Sequence, residues 1–159
     1  MKTLARYRIL HTVIGIAGLI MMTGHSAFAQ SLAMQGGDIT LTVTSGVPGA
    51  TLLPVVDAKT KIRYRQAGVP TKITVQSACP GQKFGLSVEA ISIGDGSPAP
   101  VVTLANGMLP TDFVTNIGAG SNKNFTVTLQ YTASADFSQG NSTELGDDIH
   151  AVTYTLVAQ

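Results

Sequence analysis

Asn124-Phe125-Thr126-Val127-Thr128-Leu129-Gln130-Tyr131-Thr132-Ala133 alternates apolar and polar side chains along its length. Successive side chains of an extended strand point to opposite faces of a sheet. Phe125, Val127, Leu129 and Tyr131 therefore share an inward face, and Thr126, Thr128, Gln130 and Thr132 the outward one. Alternation of this kind is the mark of a half-buried strand.

The same period of two recurs on either side. In Asp38 to Thr44, Ile39, Leu41 and Val43 oppose Thr40, Thr42 and Thr44. In Lys59 to Gln66, Lys59, Lys61, Arg63 and Arg65 oppose Thr60, Ile62, Tyr64 and Gln66. Thr71 to Ser77 carries Ile73 and Val75, and Val101 to Leu104 is a short apolar strand. Lys83 to Ile93 changes parity between Leu86, Val88, Ala90 and the pair Ile91, Ile93, which predicts a bend or bulge. The chain ends in Ile149 to Val157, with Val152, Tyr154 and Leu156 on one face.

Turn chemistry separates these runs: Val47-Pro48-Gly49, Gly68-Val69-Pro70, Cys79-Pro80-Gly81, Gly94-Asp95-Gly96-Ser97-Pro98, Asn106-Gly107 and Gly118-Ala119-Gly120. No stretch sustains a capped helical period. The expected fold is all-β, an immunoglobulin-like β-sandwich of about seven strands, open to completion by strand exchange. A barrel or jelly roll is the alternative.

The N-terminus differs. Lys2, Arg6 and Arg8 precede a mostly apolar run from Ile9 to Met22, and Ala27-Phe28-Ala29 has the small-x-small pattern of a signal-peptidase site. The apolar run falls short of the roughly 20 residues of an ordinary spanning helix. Residues 1–29 thus read as a bacterial-style signal peptide, with an uncleaved anchor as the alternative. Residues 30–159 then form one domain, destined for the periplasm, cell surface or medium, with no membrane span after cleavage.

Composition agrees. Charged residues make up 12% of the chain, against about 25% in an average domain, and small polar residues abound. Outside the leader, seven basic residues face nine acidic ones. A nucleic-acid partner is therefore not expected, because such domains are usually strongly basic.

The search for chemistry returns little. Cys79 is the only cysteine, so no intramolecular disulfide forms; a buried inert thiol is favoured over an interchain bridge or a nucleophile. His150 is the only histidine outside the leader, and no Gly-x-Ser-x-Gly turn supplies a partner nucleophile. It reads as an exposed strand-end residue. Zinc sites want three or four ligands, and one Cys and one His far apart in sequence do not suggest one. Gly94 to Ser97 and Glu144 to Asp148 lack the ligand spacing of an EF-hand loop. The expectation is no catalytic residue, no metal, no cofactor and no enzymatic activity. The sequons at Asn124 and Asn141 carry little weight in a bacterial protein.

One charged feature stands out. Lys59, Lys61, Arg63 and Arg65 share one face of one strand, a candidate anion-binding face for acidic glycans or a negative protein surface. The plainer reading is a solvated face, with lysine also discouraging pairing at a sheet edge.

The two ends carry a resemblance. A short polar lead precedes Ile39-Thr40-Leu41-Thr42-Val43-Thr44, and the chain closes with Gly146-Asp147-Asp148-Ile149-His150-Ala151-Val152-Thr153-Tyr154-Thr155-Leu156-Val157-Ala158-Gln159. This arrangement resembles the subunits of chaperone–usher pili and the related spore-coat-U-like secreted proteins, in which a glycine about fourteen residues from the C-terminus is typical; Gly146 stands there. The resemblance implies a secreted structural subunit of a surface filament, polymerising by β-strand addition, with a periplasmic chaperone as partner. Residues 30–45 would be the N-terminal extension and Ile39, Leu41 and Val43 the donor residues. Val152, Tyr154 and Leu156 would line the acceptor strand. The alternative function is an extracellular β-sandwich binding module for carbohydrate or a protein partner.

Overall fold

The computed structural model describes residues 3–15, 31–44, 52–66, 68–120, 123–139 and 142–159. The Ala27-Phe28-Ala29 pattern, the mature start at Gln30 and the Val47-Pro48-Gly49 turn lie outside the described residues. Twelve strands form among those described: β1 (Thr3–Gly15), β2 (Leu32–Gln35), β3 (Ile39–Thr44), β4 (Val55–Asp57), β5 (Lys61–Arg65), β6 (Thr71–Ala78), β7 (Gly85–Ile93), β8 (Ser97–Pro98), β9 (Val102–Thr103), β10 (Thr111–Ile117), β11 (Asn124–Ser134) and β12 (Asp148–Ala158). A single α-helical turn, α1 (Ser142–Leu145), and a short 3-10 turn at Phe137–Gln139 precede β12. Gly146 ends α1: at φ 80° its amide donates to the Ser142 carbonyl at 2.9 Å, the left-handed C-terminal cap that glycine adopts without a Cβ penalty.

The fold is all-β and has two sheets. The first runs β3-β1-β12-β6-β10-β8, and the second β2-β5-β11-β7-β9, with β4 also paired to β11. Their apolar faces form one core. Phe113 and Tyr154 meet edge to face at 5.4 Å between ring centroids, and Tyr7 packs on Phe84 at 5.9 Å. Val127, Leu129 and Tyr131 are buried as the alternation of β11 predicts, and Phe125 packs against the core at its rim.

All seven expected strands are present, with small shifts of boundary, and five more join them: β1, β2, β4, β8 and β10. β10 escapes a period-two reading because its pairing with β6 shifts register twice, so adjacent Phe113 and Val114 are both buried. The expected bulge in β7 lies where Thr128 pairs with Ser92 and Leu129 with Ala90. Ile91 is left between them and points to solvent.

Candidate functional site: the slot between β3 and β12

The unexpected element is β1, drawn from residues read as a leader. It lies between β3 and β12 in the first sheet. It runs antiparallel to β3, with Ile9 opposite Ile39, Tyr7 opposite Leu41 and Ala5 opposite Val43. It runs parallel to β12, with His11 opposite Val152 and Val13 opposite Tyr154. Every other pairing among the described strands is antiparallel. The parallel β1–β12 pair is thus the exception among the described strands, and β1 separates β3 from β12.

The local sequence suits that position. Ala5, Tyr7 and Ile9 alternate with exposed Arg6, Arg8 and Leu10, and the first three are fully buried. The Tyr7 hydroxyl donates to the Ser134 carbonyl on the opposite sheet at 2.6 Å. Burial and the nearby negative charge of Asp148 push its phenol well above the ordinary range. His11 Nε2 lies 2.9 Å from the Tyr131 hydroxyl. Desolvation lowers the His11 pKa, opposed by Asp38 and the Gly37 carbonyl.

Val152, Tyr154 and Leu156, expected to line an acceptor strand, are fully buried on the core face of β12. Leu41 and Val43, expected as donor residues, are buried in β3, and Ile39 packs against the same core. The two expected sets thus flank one slot, and residues 3–15 fill it.

The basic residues lie elsewhere. Lys61 and Arg63 are exposed on β5, while Arg65 is partly covered. Lys59 precedes the strand and pairs with Asp57 at 3.8 Å. Arg63 lies between Ala33 and Thr126, and Lys61 between Gln35 and Thr128. β5 is not an edge strand, since β2 covers its outer side; lysine therefore does not protect an open edge there.

Asp95, weighed as a calcium ligand, braces loops instead. Its carboxylate accepts from Gln66 Nε2 at 2.8 Å and from the Gly118 amide at 3.1 Å. The Tyr64 hydroxyl donates to its carbonyl. Burial raises the Tyr64 pKa to about 12.

His150 corrects an expectation. It is fully buried, because it shares the parity of Val152 and Tyr154 in β12. Pairing of Ala78 with Ala151 brings Cys79, one residue past β6, beside it. Cys79, Asp148 and His150 each offer a ligand atom, all within 4.8 Å of one another. Residues far apart in sequence thus meet at one end of the β6–β12 ladder.

No helix among the described residues is long and apolar enough to cross a membrane. No protein-family model matches the chain, and no curated protein matches it.

Proposed function

We propose that this protein is a secreted structural subunit of a bacterial surface filament, assembled by β-strand addition. The observation that supports the reading is the slot between β3 and β12, filled by residues 3–15 as an inserted strand. Cleavage after Ala29 would remove that strand. Two rows of backbone donors and acceptors and an apolar trough would then lie open. Full burial of a large apolar side chain contributes roughly 1.5–3 kcal/mol, so vacating the places of Tyr7 and Ile9 leaves a strong drive to recruit a replacement.

A strand from a second copy satisfies both the backbone and the trough. Ile39, Leu41 and Val43 are the donor residues in this reading: their alternation matches that of Ala5, Tyr7 and Ile9. To act so they leave β3, and β12 becomes the strand that receives the neighbour. Donor and acceptor are different surfaces, so the contact is heterologous and propagates. A periplasmic chaperone would shield the slot before assembly.

The test is negative-stain electron microscopy of mature protein lacking residues 1–29, with unheated and boiled SDS gels. Fibres and a heat-sensitive ladder are expected, and Leu41→Asp should abolish both. Because Leu41 also belongs to the core, a peptide of residues 38–44 offered to wild-type mature protein provides a second readout: it should bind and cap growth. A stable monomer that ignores the peptide overturns the reading.

The exposed Lys61 and Arg63, flanked by Thr126 and Thr128, favour the second reading, a binding module for an anionic glycan or protein surface. Loss of binding on a glycan array when both are neutralised would support it. An array without signal would exclude its glycan form.

A further inference from the structure

We propose that Cys79, Asp148 and His150 form a buried binding site for zinc(II) at the end of the β6–β12 ladder. Zinc is bound by thiolate, imidazole and carboxylate together, at about 2.3 Å from sulfur and 2.0–2.2 Å from nitrogen and oxygen. Ligand atoms of a tetrahedral ion at those distances stand roughly 3.3–3.7 Å apart. The three groups here lie within 4.8 Å of one another, so closing on an ion requires movement of about 1 Å.

The histidine carries the argument. It is fully buried, and its Nδ1 lies 3.1 Å from Ser77 Oγ. Its Nε2 is buried without any hydrogen-bond partner. A buried polar atom left unsatisfied costs about 1–3 kcal/mol, and native interiors seldom keep one without a reason. With Nδ1–H donating to Ser77, Nε2 presents a bare lone pair, the state a metal ligand needs. A hydrogen bond from the second ring nitrogen fixes tautomer and orientation at most histidine–metal sites.

The other two ligands are also held. The Lys83 and Phe84 amides donate to Asp148 Oδ2 at 3.0 and 2.9 Å. Oδ1 faces Lys83 Nζ at 3.6 Å. The Cys79 amide donates to Asn106 Oδ1 at 2.9 Å, which fixes the backbone under the sulfur. Burial first, then Asp148, raises the Cys79 thiol pKa. Zinc is bound by the thiolate, so ion binding releases the thiol proton. Lys83 is the competing cation, and its partly exposed side chain is free to swing to solvent when the ion enters. A nucleophilic role fits poorly, since Cys79 is only 1% exposed. β1 borders the site on its other side, with Tyr7 opposite Asp148 and Ile9 opposite His150, so the geometry described belongs to the chain with residues 3–15 in place.

The test uses the full chain with residues 1–29 retained, so that β1 still borders Asp148 and His150, stripped with a chelator and titrated with cobalt(II), then zinc(II). One cobalt per chain is expected, with a thiolate-to-metal charge-transfer band that zinc abolishes. Cys79→Ser and His150→Gln should remove the band, and Ser77→Ala should keep it while weakening affinity about 10–100-fold. X-ray absorption of the zinc-loaded wild type gives a readout free of folding defects in variants: one sulfur at about 2.3 Å with nitrogen and oxygen near 2.0–2.2 Å. A metal shell without sulfur, or no binding at stoichiometric metal, overturns the proposal.

Discussion

The hydroxyls of Tyr131 and Tyr154 meet at 2.8 Å in the centre of the molecule, joining β11 of one sheet to β12 of the other. Each is fully buried, and burial holds both phenols neutral, well above their ordinary pKa. Such a pair is favourable only while both members are present. Tyr131→Phe should therefore cost about 1–3 kcal/mol through the orphaned Tyr154 hydroxyl, and it also takes the partner of His11 Nε2. The double Phe variant should cost less than the sum of the two single changes, measured as a urea-unfolding double-mutant cycle.

Asp148 accepts from two backbone amides through one oxygen. Asp148→Ala strands both, at roughly 1–3 kcal/mol each. Asp148→Asn retains an acceptor and should lose less. Chemical denaturation of metal-free protein would rank the two.

Two glycines separate backbone strain from collision. Gly107 has φ 68° and open space where a Cβ would stand, while a Cβ on Gly96 (φ 99°) would lie 2.7 Å from the Thr115 carbonyl oxygen and 2.9 Å from Val114 Cγ1. Gly107→Ala should cost only the left-handed penalty, about 1–2 kcal/mol. Gly96→Ala should lower the melting temperature clearly more.

With residues 3–15 in place as β1, His11 should make stability depend on pH. Its folded pKa lies below the ordinary value of 6.5, chiefly through desolvation. Below that value the unfolded chain takes up the proton first, so stability is full above pH 6.5 and falls as pH drops toward the folded pKa. His11→Gln should flatten this part of the profile. Denaturant midpoints from pH 7.5 to 5 would reveal it.

Neutralising Lys61 and Arg63 should change stability by no more than about 0.5 kcal/mol, as is usual for exposed side chains. A larger loss in thermal melts would mean that their aliphatic stems pack on the sheet.

The core was legible wherever parity alone decides burial. Val127, Leu129 and Tyr131, or Val152, Tyr154 and Leu156, need only the period of two. His150 obeys the same parity, yet a polar side chain beside Asp147-Asp148 invites a solvent-facing reading. Its partners Ser77 and Cys79 are reached only through the β6–β12 register, which no local pattern encodes. β10 was hidden by register shifts that bury two consecutive residues. β1 shows a different ambiguity: Arg6 and Arg8 around Tyr7 read equally as a basic leader and as the outward positions of a strand. Composition cannot separate the two, because one wall of the slot that accepts β1, the strand β12, is built more than a hundred residues later.

That slot sets a race. In the proposed reading of residues 1–29 as an export signal, its side chains must be reachable by the machinery that reads them, yet Tyr7 and Ile9 are sealed inside the finished sandwich. β12, which closes over them, leaves the ribosome more than a hundred residues after β1. A chain captured before Asp148 emerges still displays its address; one that completes its sheet first has hidden it. In the proposed reading, export then favours early capture, and holding the chain unfolded in the cytoplasm should raise its yield outside.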